Sequence, residues 1–227
     1  MVITPRQIVL PLPERVSLVR EDYFVSASNR AAVAALEAWP AWSGGMLALI
    51  GPSGSGKTHL ARAHAVRTAA VNRPAAIWPE GDGADLILED MDRLVGNADG
   101  EERVFHAFNR VQAAGGTILF TARTPIAGWP VKLPDLQTRM STVLAVDLPP
   151  PDDALLHAVL LKLFADRQIA PGPSAEVAAW LVPRMERSLA EASRLVAELD
   201  HRSLAEKRRI DTRLAAEILD PPAKRLL

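Results

Sequence analysis

Gly51-Pro52-Ser53-Gly54-Ser55-Gly56-Lys57-Thr58 is the stretch that decides the fold. It matches G-x-x-x-x-G-K-[ST], a loop whose glycines let the backbone wrap closely around phosphate groups. The N–H groups of such a loop, and of the helix that follows it, point at negative charge. Lys57 is placed to reach the outer phosphates, and Thr58 to offer its hydroxyl to Mg²⁺. Pro52, Ser53, Ser55 and His59 complete the candidate nucleotide-binding set. A Gly/Ser-rich loop with an incidental lysine would carry the same letters, so the flanks decide. The apolar run 46–50 reads as a buried strand and 57–70 as a helix, which is the setting a phosphate loop needs.

Working outward, residues 28–39 predict a helix started by Ser28-Asn29, with Ala32, Val33 and Leu36 at helical spacing, and Pro40 stops it. Further strands are expected at 75–78, 85–89, 117–121 and 143–146, with a helix over 101–114 closed by Gly115-Gly116. Short apolar strands alternating with helices argue for an α/β fold: a five-stranded parallel sheet sandwiched by helices. The pattern changes at Pro149-Pro150-Pro151. Beyond it only helices are expected, over 151–167, 174–182 with Ser174 as cap, 188–204, and 212–219 capped by Asp211. The expected organisation is an extended, proline-bearing segment over 1–15, an α/β nucleotide domain over 16–150 and a small all-helical domain over 151–227.

The 227 residues are 48% hydrophobic, enough to bury a core of mostly aliphatic side chains. A net charge of −1 lacks the electrostatic signature of a protein that coats nucleic acid. There is no cysteine, which excludes disulfides, thiolate catalysis and cysteine-zinc sites. The N-terminus has no signal-peptide pattern and no apolar run is long enough to cross a bilayer, so a cytoplasmic protein with no membrane partner is expected.

The second candidate site is Leu86-Ile87-Leu88-Glu89-Asp90, a buried strand ending in two carboxylates. Such a pair can hold Mg²⁺ and polarise a water beside a terminal phosphate. A solvated turn also ends in acids; position downstream of the loop favours Glu89 and Asp90 as metal-binding, with Asp90 catalytic and Asp92 outside the site. Thr121, at the end of another strand, is expected in the same crevice, because parallel strands deliver their C-terminal ends to one edge. For Arg139 and Arg187 a solvated arginine is the default reading, and the residues alone do not promote either to the site. The five histidines show no metal-ligand spacing.

The order of these motifs resembles the AAA+ ATPases, and the details resemble the DnaA-type initiators. EDYFVSASNRAA (21–32) is similar to the segment that opens their nucleotide domain, and GPSGSGKTHL (51–60) to their phosphate loop. LPDLQTRMSTVLAVDLPPPDD (133–153) is similar to their arginine-finger stretch, and RSLAEASRLVAEL (187–199) to their sensor-2 helix. The resemblance implies a helical lid over 151–227, ATP or ADP with Mg²⁺ as ligand, and Val25 and Asn29 in the segment lining the adenine pocket. It implies Thr121 in the sensor-1 region, Arg187 as sensor 2, and Arg139 as an arginine finger reaching a neighbouring subunit's phosphate. Glu89 stands where DnaA carries aspartate, and TARTP (121–125) lacks the acid initiators often place there, so weak hydrolysis of the chain's own ATP is expected.

No helix-turn-helix reader of origin DNA is expected, and hence no sequence-specific DNA binding. A DnaA-like module of this kind resembles the Hda family, regulatory inactivators of DnaA. Its N-terminal clamp-docking peptide is similar to Gln7-Ile8-Val9-Leu10-Pro11-Leu12. Gln7 would make polar contacts, Ile8, Leu10 and Leu12 apolar ones, and Pro11 would stiffen the peptide. The resemblance therefore implies DnaA and the polymerase sliding clamp (beta subunit) as partners, and leaves self-association open. Two other readings stand beside it: an autonomous ATPase of the helicase-loader type, and a nucleotide-gated interaction module at the replisome.

Overall fold

The computed structural model describes residues 24–68, 70–74 and 85–220. The expected strand at 75–78 and the segment 7–12 lie outside the described residues. The chain divides into two compact units, one running to Pro151 and the other starting at Asp152.

In the first unit the order is α1 (Arg30–Glu37), β1 (Met46–Ile50), α2 (Lys57–Thr68), β2 (Val71–Pro74), β3 (Leu86–Glu89), α3 (Ala98–Ala113), β4 (Ile118–Ala122), α4 (Pro134–Met140) and β5 (Leu144–Asp147). The strands form one sheet in the order β2-β3-β4-β1-β5, and every pairing is parallel. Side-chain alternation along the strands builds two cores. Ala48, Ile50, Leu86, Leu88, Ile118 and Phe120 face α3 and α4, meeting Val104, Phe108, Leu136 and Met140. Leu47, Leu49, Ile87 and Leu119 face the other way, onto Ala32 and Leu36 of α1 and Leu60 and Ala61 of α2. Each large aliphatic side chain buried this way contributes about 1.5–3 kcal/mol. β5 departs from the expected buried strand. It is an outer strand of the sheet, and Leu144 is 43% exposed.

Local chemistry sets the element ends. Asn97 caps α3 by accepting from the Gly100 N–H at 2.7 Å. Pro134 opens α4, a helix the sequence reading did not separate from its loop. The loops at the N-terminal edge of the sheet are tied by a relay. Trp39 Nε1 donates to Thr117 Oγ1 at 2.9 Å, and that hydroxyl donates to Asp85 Oδ1 at 2.6 Å.

The second unit contains α5 (Asp153–Asp166), α6 (Pro171–Leu181), α7 (Leu189–Glu206) and α8 (Thr212–Leu219). Its core joins Leu156, Leu160 and Phe164 to Leu181, Leu195 and Leu214. Asp152, Ser188 and Asp211 cap their helices. Ser174 does not cap α6. The helix begins three residues earlier because Pro171 presets the helical φ, and buried Ser174 donates to the Ala170 carbonyl at 2.7 Å. Among the described residues no helix is long and apolar enough to cross a membrane.

Candidate nucleotide site and a remote arginine

Parallel register brings the C-terminal ends of β1, β3 and β4 to one edge, and the loop leaves β1 there. Gly51 N–H donates to the Ala122 carbonyl at 3.1 Å, fixing the start of the loop against β4. A Cβ on Gly51 would lie 2.1 Å from the Leu148 carbonyl oxygen, so no other residue fits. Gly56 has φ +103, a conformation that favours glycine just before α2 begins.

Lys57 is 7% exposed, and its Nζ donates to the carbonyls of Gly51 at 2.6 Å and Pro52 at 2.8 Å. Burial pushes its pKa down, the Arg123 charge adds to that, and Asp90 and Asp92 oppose it. The Arg123 charge thus bears on Lys57, and cations near one another favour a bound anion. Asp92, expected outside the site, acts on Lys57 electrostatically; the 3₁₀ turn that follows β3 keeps it near the strand end.

The Thr58 hydroxyl donates to Glu89 Oε2 at 3.0 Å, and Arg62 Nε lies 3.7 Å from Glu89 Oε1. Asp90 takes a different part. Its backbone N–H donates to buried Thr121 Oγ1 at 3.1 Å, and its carboxylate lies 3.8 Å from Arg93 Nη1 and 4.0 Å from Arg123 Nε. The two acids are thus divided: Glu89 meets the Thr58 hydroxyl and Arg62, whereas the Asp90 carboxylate meets Arg93 and Arg123. Asp90 adopts φ +57, which turns the chain sharply after β3. Among the described residues no group of three or more His, Asp or Glu side chains is arranged to hold a metal alone. The Thr58–Glu89 pair fits Mg²⁺, which keeps one or two protein oxygens and takes its other ligands from phosphate and water. Ser55 Oγ is buried without a partner, a polar atom turned into the fold of the loop.

Other expected site residues are placed as follows. Buried Asn29 gives its amide to local structure, accepting from Ser26 N–H at 2.8 Å and donating to the Phe24 carbonyl at 2.9 Å. That turn leaves Phe24 and Val25 half-exposed side by side. His59 is half-buried in the first turn of α2. Arg187 lies in the second unit, just before the Ser188 cap of α7, and donates to Asp153 Oδ1 at 2.7 Å.

Arg139 is not part of the loop's edge of the sheet. It lines a cleft of about 240 Å³ with Met46 and Ile118, the first residues of β1 and β4. Its Nη2 donates to Asn109 Oδ1 at 2.6 Å, its Nη1 to Gln112 Oε1 at 3.1 Å, and its guanidinium carbon sits 5.1 Å from the Phe105 ring centre. Among the described residues no carboxylate forms an ion pair with it.

Sequence reasoning missed Arg123 beside Lys57 and Asp90. Its position two residues beyond Thr121, off the same strand end, was the available signal. The Asn109–Arg139 contact has no signal in the sequence, since it joins residues 30 apart on separate helices.

No protein-family model matches the sequence. An uncharacterized protein of Haemophilus influenzae is 30% identical over 186 residues, covering 75% of this chain and 79% of that protein. The chromosomal replication initiator protein DnaA of Sphingopyxis alaskensis is 27% identical over 198 residues, covering 76% of this chain and 44% of the initiator. The chain thus spans less than half the length of that DnaA. Domain III of the replication initiation protein DnaA from Thermotoga maritima superposes with a TM-score of 0.70 at 17% identity, covering 89% of this chain and 95% of that one. This last likeness is one of fold.

Proposed function

We propose that this chain, similar to DnaA in sequence and to DnaA domain III in fold, is a DnaA-like AAA+ protein and a nucleotide-binding regulator of chromosomal replication initiation, of the Hda kind. In this reading it docks on the DNA sliding clamp through Gln7, Ile8, Leu10, Pro11 and Leu12, and it stimulates hydrolysis of the ATP held by DnaA.

The observation that carries the reading is the placement of Arg139. Its guanidinium lies by the N-terminal ends of β1 and β4, whereas the phosphate loop leaves the C-terminal end of β1. A five-residue strand separates those ends by about 13 Å. A guanidinium there does not serve its own loop's phosphate; it serves one presented by a neighbour. An arginine supplied in trans accelerates hydrolysis in nucleotide switches by roughly 10³–10⁵. The chain's own ATP or ADP, with Mg²⁺ on Thr58 and Glu89, supplies the charge that Lys57 and Arg123 attract. Thr121 then acts as sensor 1 through Asp90, Arg187 as sensor 2, and the helices beyond Asp152 as the lid. Phe24 and Val25 offer apolar surface to the adenine, on a turn that Asn29 holds.

The test is single-round hydrolysis of labelled ATP preloaded on DnaA, with clamp loaded on DNA. Wild-type protein accelerates it, Arg139→Ala does not, and Gln7→Ala does so only at much higher concentration. Arg139→Ala accelerating as well as wild type overturns the reading.

One observation favours a second reading, an autonomous ATPase. Lys57, Thr58, Glu89, Asp90 and Thr121 are assembled within the chain by direct hydrogen bonds. Rapid DnaA-independent hydrolysis, abolished by Lys57→Ala, would select it.

A further inference from the structure

We propose that Phe105, Asn109 and Gln112 of α3 are positioning residues for Arg139, aiming its guanidinium while leaving its charge uncompensated. The proposal rests on the reading that Arg139 acts on a partner's phosphate.

The three residues stand at i, i+4 and i+7 along one face of α3. The flanking face, carrying Val104, Ala107, Phe108 and Val111, is buried in the core, so the platform is fixed to the sheet. The arginine is anchored from its own side by Leu136 and Met140, the buried residues of α4. Two packed helices therefore meet at one guanidinium. Held at Nη2 by Asn109, at Nη1 by Gln112 and over its face by Phe105, it gives up the rotamer freedom of a long side chain before any partner arrives.

The chemistry of the three contacts is the informative part. A carboxylate would hold an arginine more tightly. Here both acceptors are amide oxygens and the third contact is an aromatic face, and these attract a cation without neutralising it. A phosphate approaching Arg139 meets a full positive charge and breaks no ion pair to reach it. Hydrogen bonds to the two amide oxygens use two of the five guanidinium N–H groups, and Arg139 lines the cleft together with Gly44, Gly45 and Thr142. Room for an incoming group lies alongside the aimed charge.

Single-round hydrolysis of labelled ATP on DnaA, with clamp, tests this using the full-length protein at saturating concentration. Asn109→Ala with Gln112→Ala lowers the rate by roughly 10- to 100-fold, the scale expected of a misplaced catalytic group. The concentration giving half the maximal rate stays the same, because the interface is intact. Asn109→Asp with Gln112→Glu keeps both side-chain shapes and both acceptors but adds carboxylates, and it also lowers the maximal rate. Asn109 is half-buried and Gln112 exposed, so both double variants are expected to melt as wild type does. If Arg139→Ala abolishes stimulation while the alanine pair keeps the wild-type rate, the positioning role is wrong and the trans reading stands. If the Asp/Glu pair keeps the wild-type rate, the uncompensated charge has no function and the proposal fails. If Arg139→Ala itself keeps the wild-type rate, the reading beneath the proposal fails.

Discussion

The Thr58 hydroxyl donates to Glu89 Oε2 at 3.0 Å, tying the first turn of α2 to the end of β3. One hydrogen bond thus joins the phosphate loop to the acidic strand, and Thr58 and Glu89 are the residues that would hold Mg²⁺. Thr58→Val and Glu89→Ala are each expected to reduce the gain in nucleotide affinity that Mg²⁺ provides by about tenfold, the scale of one charge-assisted contact. Affinity without Mg²⁺ changes little. Titration calorimetry with and without Mg²⁺ checks both arms.

Lys57 is buried against the carbonyls of Gly51 and Pro52, so its charge is held inside the loop at the point a phosphate enters. Lys57→Ala removes that charge and is expected to weaken ADP and ATP binding by roughly 30- to 1,000-fold, the range for truncating one side of a buried charged contact. Fluorescent-nucleotide titration reads it. Arg123→Ala is expected to produce a smaller loss, because Arg123 is more exposed than Lys57 and lies 4.0 Å from the Asp90 carboxylate.

His64 is buried between Trp42, stacked at 5.2 Å, and the edge of Trp39 at 5.9 Å. Arg67 Nη2 lies 3.2 Å from His64 Nδ1, and an arginine only donates, so Nδ1 accepts and the ring is neutral. Burial, with the Arg67 charge, pushes its pKa down to about 4. The folded state therefore resists a proton that the unfolded chain takes up near pH 6.5. Stability is fully present above pH 6.5 and falls as pH drops from there toward 4, by up to about 3 kcal/mol. Thermal melts across that range should show the fall in wild type and a flatter profile in His64→Gln.

Glu101 is 2% exposed and accepts from the N–H groups of Gly96, Lys132 and Leu133, which joins α3 to the loop before α4. Burial alone would push its carboxyl up, but the three backbone donors and the Lys132 charge outweigh it and hold the pKa below its ordinary value of 4.5. This stabilisation is present above that value and is lost as pH falls below it. Glu101→Ala leaves three N–H groups without their acceptor and is expected to cost about 3 kcal/mol, read as a lower midpoint in urea.

Much of this was legible in the residues themselves. The glycine spacing around Lys57 specified the loop, and the apolar runs at 46–50 and 86–88 specified buried parallel strands, because each signal is local. The start of α6 was misread because Ser174 carries a capping side chain, while Pro171, whose fixed φ opens the helix, stood further upstream. The exposure of β5 was misread because Leu144 and Val146 are apolar on an outer strand, and strand order is not written in any one segment. The division of labour between Glu89 and Asp90 was out of reach for the same reason. It depends on Thr58 arriving from the first turn of α2 and Arg123 from just beyond β4. The setting of Arg139 depends on a helix face 27 to 34 residues upstream.

The most direct test of the account compares two rates for the same Arg139→Ala protein: hydrolysis of its own ATP, and its acceleration of hydrolysis on clamp-associated DnaA. The account predicts that the first stays at the wild-type value while the second falls to that of DnaA alone. Loss of the first with the second preserved would contradict it.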